Sequence, residues 1–404
     1  MTAHRAEARA VWLIATGQAL GYACFYYIFA AMVMIWHDAL GWDRALLALG
    51  PTSAILIAAC LAPFVGRAVD RGRGPLLLTL GPVIGAGALA VLAQAMTPAT
   101  YLLAWVGLGV TQAICLYEVC FALMIRRFGA GARAAITKVT LVAGFAATLA
   151  FPAGALLTQA FGWRGTVWVA AAVGVFAIAP LHFIGARVIA RGPTEGRAAG
   201  VLPPSPLSVV RRPAFQRLAL IFSLMNLNHW MLISFMLPIF ASQGLAPAAA
   251  VAAAACIGPA QVLGRFALMR SETRLGTVRA ARMTLAAIVL ASLLLALAGL
   301  APHLAFAFAA VQGAAMGVMT ILRPMLVSER LGSQTYGAIA GMMSIPTLIS
   351  TAMAPLLGAV ILSAGGVGLL IGVAFLLAAT ALGIAVLATA RPAPAPRVSA
   401  DGSP

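Results

Sequence analysis

Twelve apolar runs of roughly 20 residues or more, separated by short polar stretches, dominate the 404-residue chain. They fall at about 11–36, 45–65, 76–96, 100–125, 134–160, 165–190, 215–241, 246–269, 277–299, 302–326, 337–363 and 366–390. As helix, each is long enough to cross the ~30 Å hydrocarbon core of a bilayer. In lipid every backbone N–H and C=O must find its partner inside the segment or in a closed barrel. Barrel strands are short and alternate in polarity; these runs are long and continuous. The pattern therefore predicts an all-α membrane protein with twelve transmembrane helices. With 63% hydrophobic and 9% charged residues, against roughly 25% charged in soluble domains, the chain cannot cover a water-facing surface. An ordinary globular enzyme is excluded. His4, Arg5 and Arg9 resemble the basic start of a signal peptide, but the first run is too long for one and no soluble domain follows it.

The 26 Lys+Arg against 9 Asp+Glu give a net charge of +17. The cations sit in alternate loops: Arg67, Arg71 and Arg73 after run two, Arg126, Arg127 and Arg133 after run four, Arg270, Arg274 and Arg279 after run eight. Arg191, Arg197, Arg211, Arg212 and Arg217 mark the centre, and the other loops hold only Arg44 and Arg164. This bias predicts both termini on the cytoplasmic side of a bacterial-type inner membrane. It explains the basic balance without a nucleic-acid partner, and the expected unit is a monomer in lipid. Cys24, Cys60, Cys115, Cys120 and Cys256 lie inside apolar runs without metal spacing and read as small hydrophobes. The sole lysine, Lys138, stands in Ile136-Thr137-Lys138-Val139, so no phosphate-cradling loop exists. Gly85-x-Gly87 and Gly107-x-Gly109 lie within spans and suit helix packing. No cofactor, metal or covalent chemistry is expected, and transport must be passive or driven by a gradient. One proton crossing about 100 mV supplies roughly 2.3 kcal/mol, enough to bias a conformational equilibrium.

The chain is also written twice. At an offset of 202–203, Gly41-Trp42 overlays Gly244-Leu245, Asp70-x3-Gly74 overlays Glu272-x3-Gly276, and Pro152 overlays Pro355. The expected organisation is a six-helix bundle over 1–190, a Pro/Arg-rich cytoplasmic linker over 191–214, a second bundle over 215–390 and a disordered tail over 391–404. Parallel repeats with a site between them suit alternating access.

Between runs two and three, Gly66-Arg67-Ala68-Val69-Asp70-Arg71-Gly72-Arg73-Gly74 resembles the signature of the major facilitator superfamily, Gly-x3-Asp-Arg with a basic continuation. The resemblance implies a cytoplasmic gate in which Gly66 permits close helix approach and Asp70 caps and pairs beside Arg71. The second copy has Leu268 in the glycine place and Glu272 as its acid. The family's helix-five antiporter pattern is matched in part by Phe151-Pro152-Ala153-Gly154. Gly264-Arg265 in helix eight and Tyr117-Glu118 in helix four resemble permeases of the monocarboxylate and oxalate/formate branch, which use a helix-eight cation. In the family, helices one, four, seven and ten line the cavity.

Ionisable groups at mid-membrane cost about 2.5–3.5 kcal/mol on insertion scales and need a partner or water. Glu118 is the one acid deep in a span; it reads as a coupling carboxylate or as a structural partner of Lys138 or Arg126. Arg323 shares a helix face with Gln312, Met316 and Met319, facing a cavity or snorkelling to water. Arg265 is a substrate or gate residue near Glu272, and Lys138 a gate residue or Glu118's partner. Gln18, Tyr22 and Tyr26 on helix one, and Asn226, His229 and Trp230 on helix seven, form two stripes in equivalent places, since Tyr26 overlays His229 and Tyr27 overlays Trp230 at the offset of 203; both suit cavity lining better than interfacial belts. His229 could also carry a proton.

These residues point to a secondary transporter of a small organic solute, favouring a carboxylate with proton coupling through Glu118. Efflux of a hydrophobic or cationic drug is the alternative, with Glu118 pairing the substrate. A non-transporting receptor or scaffold is a third reading.

Overall fold

The computed structural model describes residues 2–192, 206–270, 276–333 and 335–387. Every regular element in them is helical. Eight helical segments are long and apolar enough to span a bilayer, and Pro213–Ser234 with Met236–Ser242 forms a ninth, bent by 65°. Three segments, of 49, 60 and 52 residues, would be ~75–90 Å long if straight, far beyond the hydrocarbon thickness. Each reverses at a glycine with positive φ: Gly72 (89°), Gly162 (67°) and Gly366 (68°). That left-handed backbone is open to glycine and strained for other side chains. With these three counted twice, the nine segments are twelve spans.

They are α1 (Arg5–Leu40), α2 (Arg44–Ala68), α3 (Gly74–Ala93), α4 (Pro98–Phe128), α5 (132–161) and α6 (163–191). The second half has α7 (Pro213–Ser234 and Met236–Ser242), α8 (Pro247–Arg270), α9 (Thr277–Leu297), α10 (Leu304–Leu331), α11 (336–364) and α12 (367–387). Two six-helix bundles result. The starts of α1 and α7 and the ends of α6 and α12 share one face of the molecule, here the linker face. Glu272, most of the linker (193–205) and the tail expected over 391–404 lie outside the described residues.

Three spans are interrupted where the site forms. Helical geometry in α1 lapses at Tyr26–Tyr27. The 65° bend in α7 falls at Phe235. In α4, Leu116 is extended (φ −90°, ψ −160°), and a new helix begins at Tyr117.

The buried apolar residues fall into three clusters. One, including Val119, Ile136, Met319 and Ile339, joins both bundles at the linker face. The second belongs to the first bundle alone and is built on Trp36, Tyr101, Trp105 and Trp163. The third belongs to the second bundle alone, around Phe240, Phe308 and Leu370. The bundles thus pack together at the linker face and part toward the opposite face. This is an outward-facing shape if the linker face is cytoplasmic.

Candidate functional site

The seal at the linker face has two seams. Along α2 and α11 the backbones touch: a Cβ added to Gly66 would lie 1.9 Å from the Gly337 carbonyl oxygen, and one on Gly341 would lie 2.3 Å from that of Ala62. Asp70, in the turn after α2, caps the start of α11. Its Oδ1 accepts from the Gly337 N–H (2.9 Å) and its Oδ2 from the Ala338 N–H (2.7 Å). Burial pushes the Asp70 carboxyl up to about 6; the two backbone N–H groups and the Arg126 guanidinium oppose that shift. Arg126 also donates to the carbonyls of Val69 and Asp70. Arg71, to which the family resemblance gave a gate role, is exposed, and Arg126 takes its place beside Asp70.

Along α5 and α8, Arg265 Nη1 donates to the Thr140 carbonyl across the bundle boundary (3.0 Å), and its Nη2 contacts Gln261 Oε1 (3.4 Å). Arg265 is buried and off the cavity wall. It joins the two bundles at this seam and does not line the cavity.

Above the seal lies a cavity of about 320 Å³, walled by α1, α2, α4, α7, α10 and α11. Glu118 and Arg323 meet across it at 3.6 Å, one from each bundle. The break at Leu116 puts Glu118 in the first turn of a new helix, where the helix dipole favours a carboxylate. Its side chain is 43% exposed and that of Arg323 26%, so both reach the aqueous space. Arg323 faces the cavity, and Glu118 pairs with it rather than with Lys138 or Arg126. Arg323 Nη2 also contacts Ser344 Oγ (3.3 Å) and Thr347 Oγ1 (3.2 Å) on α11, and its guanidinium lies over the Phe222 ring at 5.8 Å.

Aromatic groups line the cavity from both bundles. Tyr22 and Tyr26 line it, and Tyr22 packs against Tyr117 with ring centroids 4.5 Å apart. Trp230 and Asn226 line it from α7, with Asn226 Nδ2 near the Thr347 carbonyl (3.4 Å). The other expected members lie elsewhere. Gln18 is fully buried and donates to the Cys115 carbonyl (2.6 Å), which the break in α4 leaves short of a helical partner. Gln312 is fully buried against Asn228 Oδ1 (3.0 Å) and His229 Nδ1 (3.4 Å). One residue, about 100° of helix, turns His229 from Trp230's cavity face into the bundle core. Lys138 is half-buried on α5, away from the wall.

Ser344, Thr347, Tyr117 and Tyr336 were absent from the sequence-based set. The hydroxyl stripe Ser344, Thr347, Thr351, at helical spacing in an otherwise apolar run, was the readable signal. Tyr336, buried at the start of α11, lines the cavity floor. Among the described residues, no group of three or more His, Cys, Asp or Glu could hold a metal ion.

The family model described as Major Facilitator Superfamily matches residues 11–344. No curated protein matches the sequence. Among solved structures, the fold is similar to the Major Facilitator Superfamily transporter FucP in the outward conformation, with a TM-score of 0.74 at 14% identity over 95% of this chain and 99% of that one. It is similar to a bacterial homologue of the iron transporter ferroportin in the outward-facing state (TM-score 0.74, 12% identity, 96% and 100% covered). It is also similar to the human organic anion transporter MFSD10 (TM-score 0.69, 18% identity, 94% and 99% covered). The chain belongs to the Major Facilitator Superfamily and is an integral, multi-pass membrane transporter, not an enzyme.

Proposed function

We propose that the protein is a proton-coupled secondary transporter of a small organic anion, with a carboxylate as the favoured substrate, acting as a monomer in a bacterial-type inner membrane. The observation that carries this reading is the Glu118–Arg323 pair, the one ion pair between the bundles among the described residues, lying in the wall of their shared cavity. A substrate carboxylate entering from the open side competes with Glu118 for Arg323, whose guanidinium offers a fork suited to carboxylates. Ser344 and Thr347 already hold that guanidinium in place. Two carboxylates then share one cation, and a proton on Glu118 relieves their repulsion. The loaded site is closer to neutral, and the bundles can rock over it with less charge to desolvate. The arginine-rich loops support a cytoplasmic linker face, so the cavity opens outward. In other folds of this shape, FucP is a fucose:proton symporter and MFSD10 an organic anion transporter.

The test is a thermal-shift screen of small carboxylates at two pH values on the purified protein, followed by uptake of the hits into proteoliposomes. Arg323→Gln should abolish binding, and Glu118→Gln should leave binding while removing pH-driven accumulation. The wall of Tyr22, Tyr26, Tyr117 and Trp230 around an exposed carboxylate favours drug efflux as the second reading. That reading predicts the reverse: Glu118→Gln abolishes transport and Arg323→Gln spares it. Absence of protein-dependent flux with every solute screened overturns both substrate readings.

A further inference from the structure

A second pocket, of about 90 Å³, opens in the linker-face end of the second bundle between α7, α9, α10 and α12. Its floor is apolar, formed by Leu218, Phe222, Leu285, Met319 and Leu326. Three arginines border it from three different helices: Arg217 of α7 and Arg330 of α10, both exposed, and the half-buried Arg282 of α9. All lie within two turns of their helix ends, at the level of the membrane–water boundary. Among the described residues, no acidic residue lines the pocket. The adjacent Glu329 is engaged by the Thr277 hydroxyl, which donates to its Oε1 at 2.5 Å. Among the described residues, Arg217 donates only to the Pro213 carbonyl of its own helix, and Arg282 Nε is buried without a partner. Positive-inside bias explains arginines at this face. It does not explain why arginines of three helices border one apolar concavity, one of them with a buried Nε left open.

We infer that this pocket binds a small amphipathic anion, a phosphate or carboxylate head held by Arg217, Arg282 and Arg330 with a short apolar chain on the floor beneath. A pocket of about 90 Å³ admits a chain of only a few methylene groups. Two sources carry this chemistry, a soluble short-chain anion from the aqueous face and the head of an anionic membrane lipid. The pocket shares Met319 with the substrate cavity, and Phe222 on its floor lies beneath Arg323. An occupant therefore sits against the back of the proposed substrate site, although its binding does not depend on what that site transports.

The test is calorimetric titration of the full-length protein, in an uncharged detergent at low salt, with inorganic, methyl, propyl and butyl phosphate. Saturable binding is expected, tightening roughly fourfold with each methylene that enters the pocket. Arg282→Gln should weaken butyl phosphate at least tenfold, while Arg282→Lys retains part of it. Ala281→Leu, which fills the pocket from α9, should remove the dependence on chain length and leave the phosphate response. Competition by phosphatidylglycerol in nanodiscs would identify a lipid head as the occupant; no competition would identify a soluble anion. Equal affinity for inorganic and butyl phosphate, or butyl phosphate binding unchanged in both Arg282→Gln and Ala281→Leu, overturns the inference.

Discussion

The two seams of the linker-face seal occupy related places in a duplicated chain, yet they are built differently. Under the offset of 203, Ala62 of α2 overlays Arg265 of α8. Where Ala62 stands, Gly341 lets the α11 backbone lie directly against the α2 carbonyl, with Gly66 and Gly337 repeating the contact a turn away. Where Arg265 stands, a guanidinium spans the boundary to Thr140, and Gly144 leaves the space it fills: a Cβ there would lie 2.5 Å from Arg265 Nη1. The first seam is a backbone-to-backbone contact of small residues, stiff because nothing in it can move aside. The second is one long polar side chain that can release and re-form. Duplication determines where the bundles touch; the residue at each related position determines how firmly.

The largest effect should come from breaking the stiff seam. Gly66→Leu forces α2 and α11 apart at an overpacking cost of about 3 kcal/mol, on the order of 100-fold in the sealed population. Spin labels on Arg71 and Ser333, on linker-face turns of the two bundles, report this as loss of the short interspin distance. Arg265→Gln, at the adaptable seam, should cost about 1.5 kcal/mol, roughly tenfold, by removing one charge-assisted hydrogen bond. Because Arg265 is off the cavity wall, this variant should retain substrate affinity while shifting the distance distribution.

The cap on the stiff seam adds a pH dependence. With the seal closed, burial raises the Asp70 carboxyl from 3.8 to about 6; in an opened state it returns toward the ordinary value. The proton therefore binds the sealed form more tightly. Its contribution to the seal is full below about 3.8 and lost as pH rises through about 6. Acidifying from about pH 7 to about pH 5 should raise the sealed population by roughly tenfold at most, and Asp70→Asn should flatten that response in the same distance measurement. Gly144→Ala should do least, under about 1 kcal/mol: the clash is with the mobile end of Arg265, and alanine favours the α5 helix by a similar amount. An effect as large as that of Gly66→Leu would show the two seams to be equally rigid.

The spans, their number and the gate turn were legible in the sequence because lipid leaves helix as the only continuous solution and glycine marks the reversals. Glu118 and Arg323 stood out as ionised groups in apolar runs, but which cation would meet Glu118 depended on an inter-bundle distance that no spacing within a helix encodes. Gln18 and Gln312 read as cavity residues because a polar side chain in a span invites that reading. Each instead serves a need created by the fold, the carbonyl freed at the α4 break and the buried amide of Asn228. The break itself falls at Leu116, between Cys115 and Tyr117, with no proline or glycine to announce it.

The most direct test of the coupling between Glu118 and Arg323 is proton uptake by the purified protein on addition of a substrate found in the screen, followed with a pH indicator in weakly buffered solution. The account predicts that the wild type takes up about one proton per bound substrate, that Glu118→Gln binds the substrate and takes up none, and that Arg323→Gln does not bind it. Proton uptake by Glu118→Gln equal to that of the wild type would contradict it.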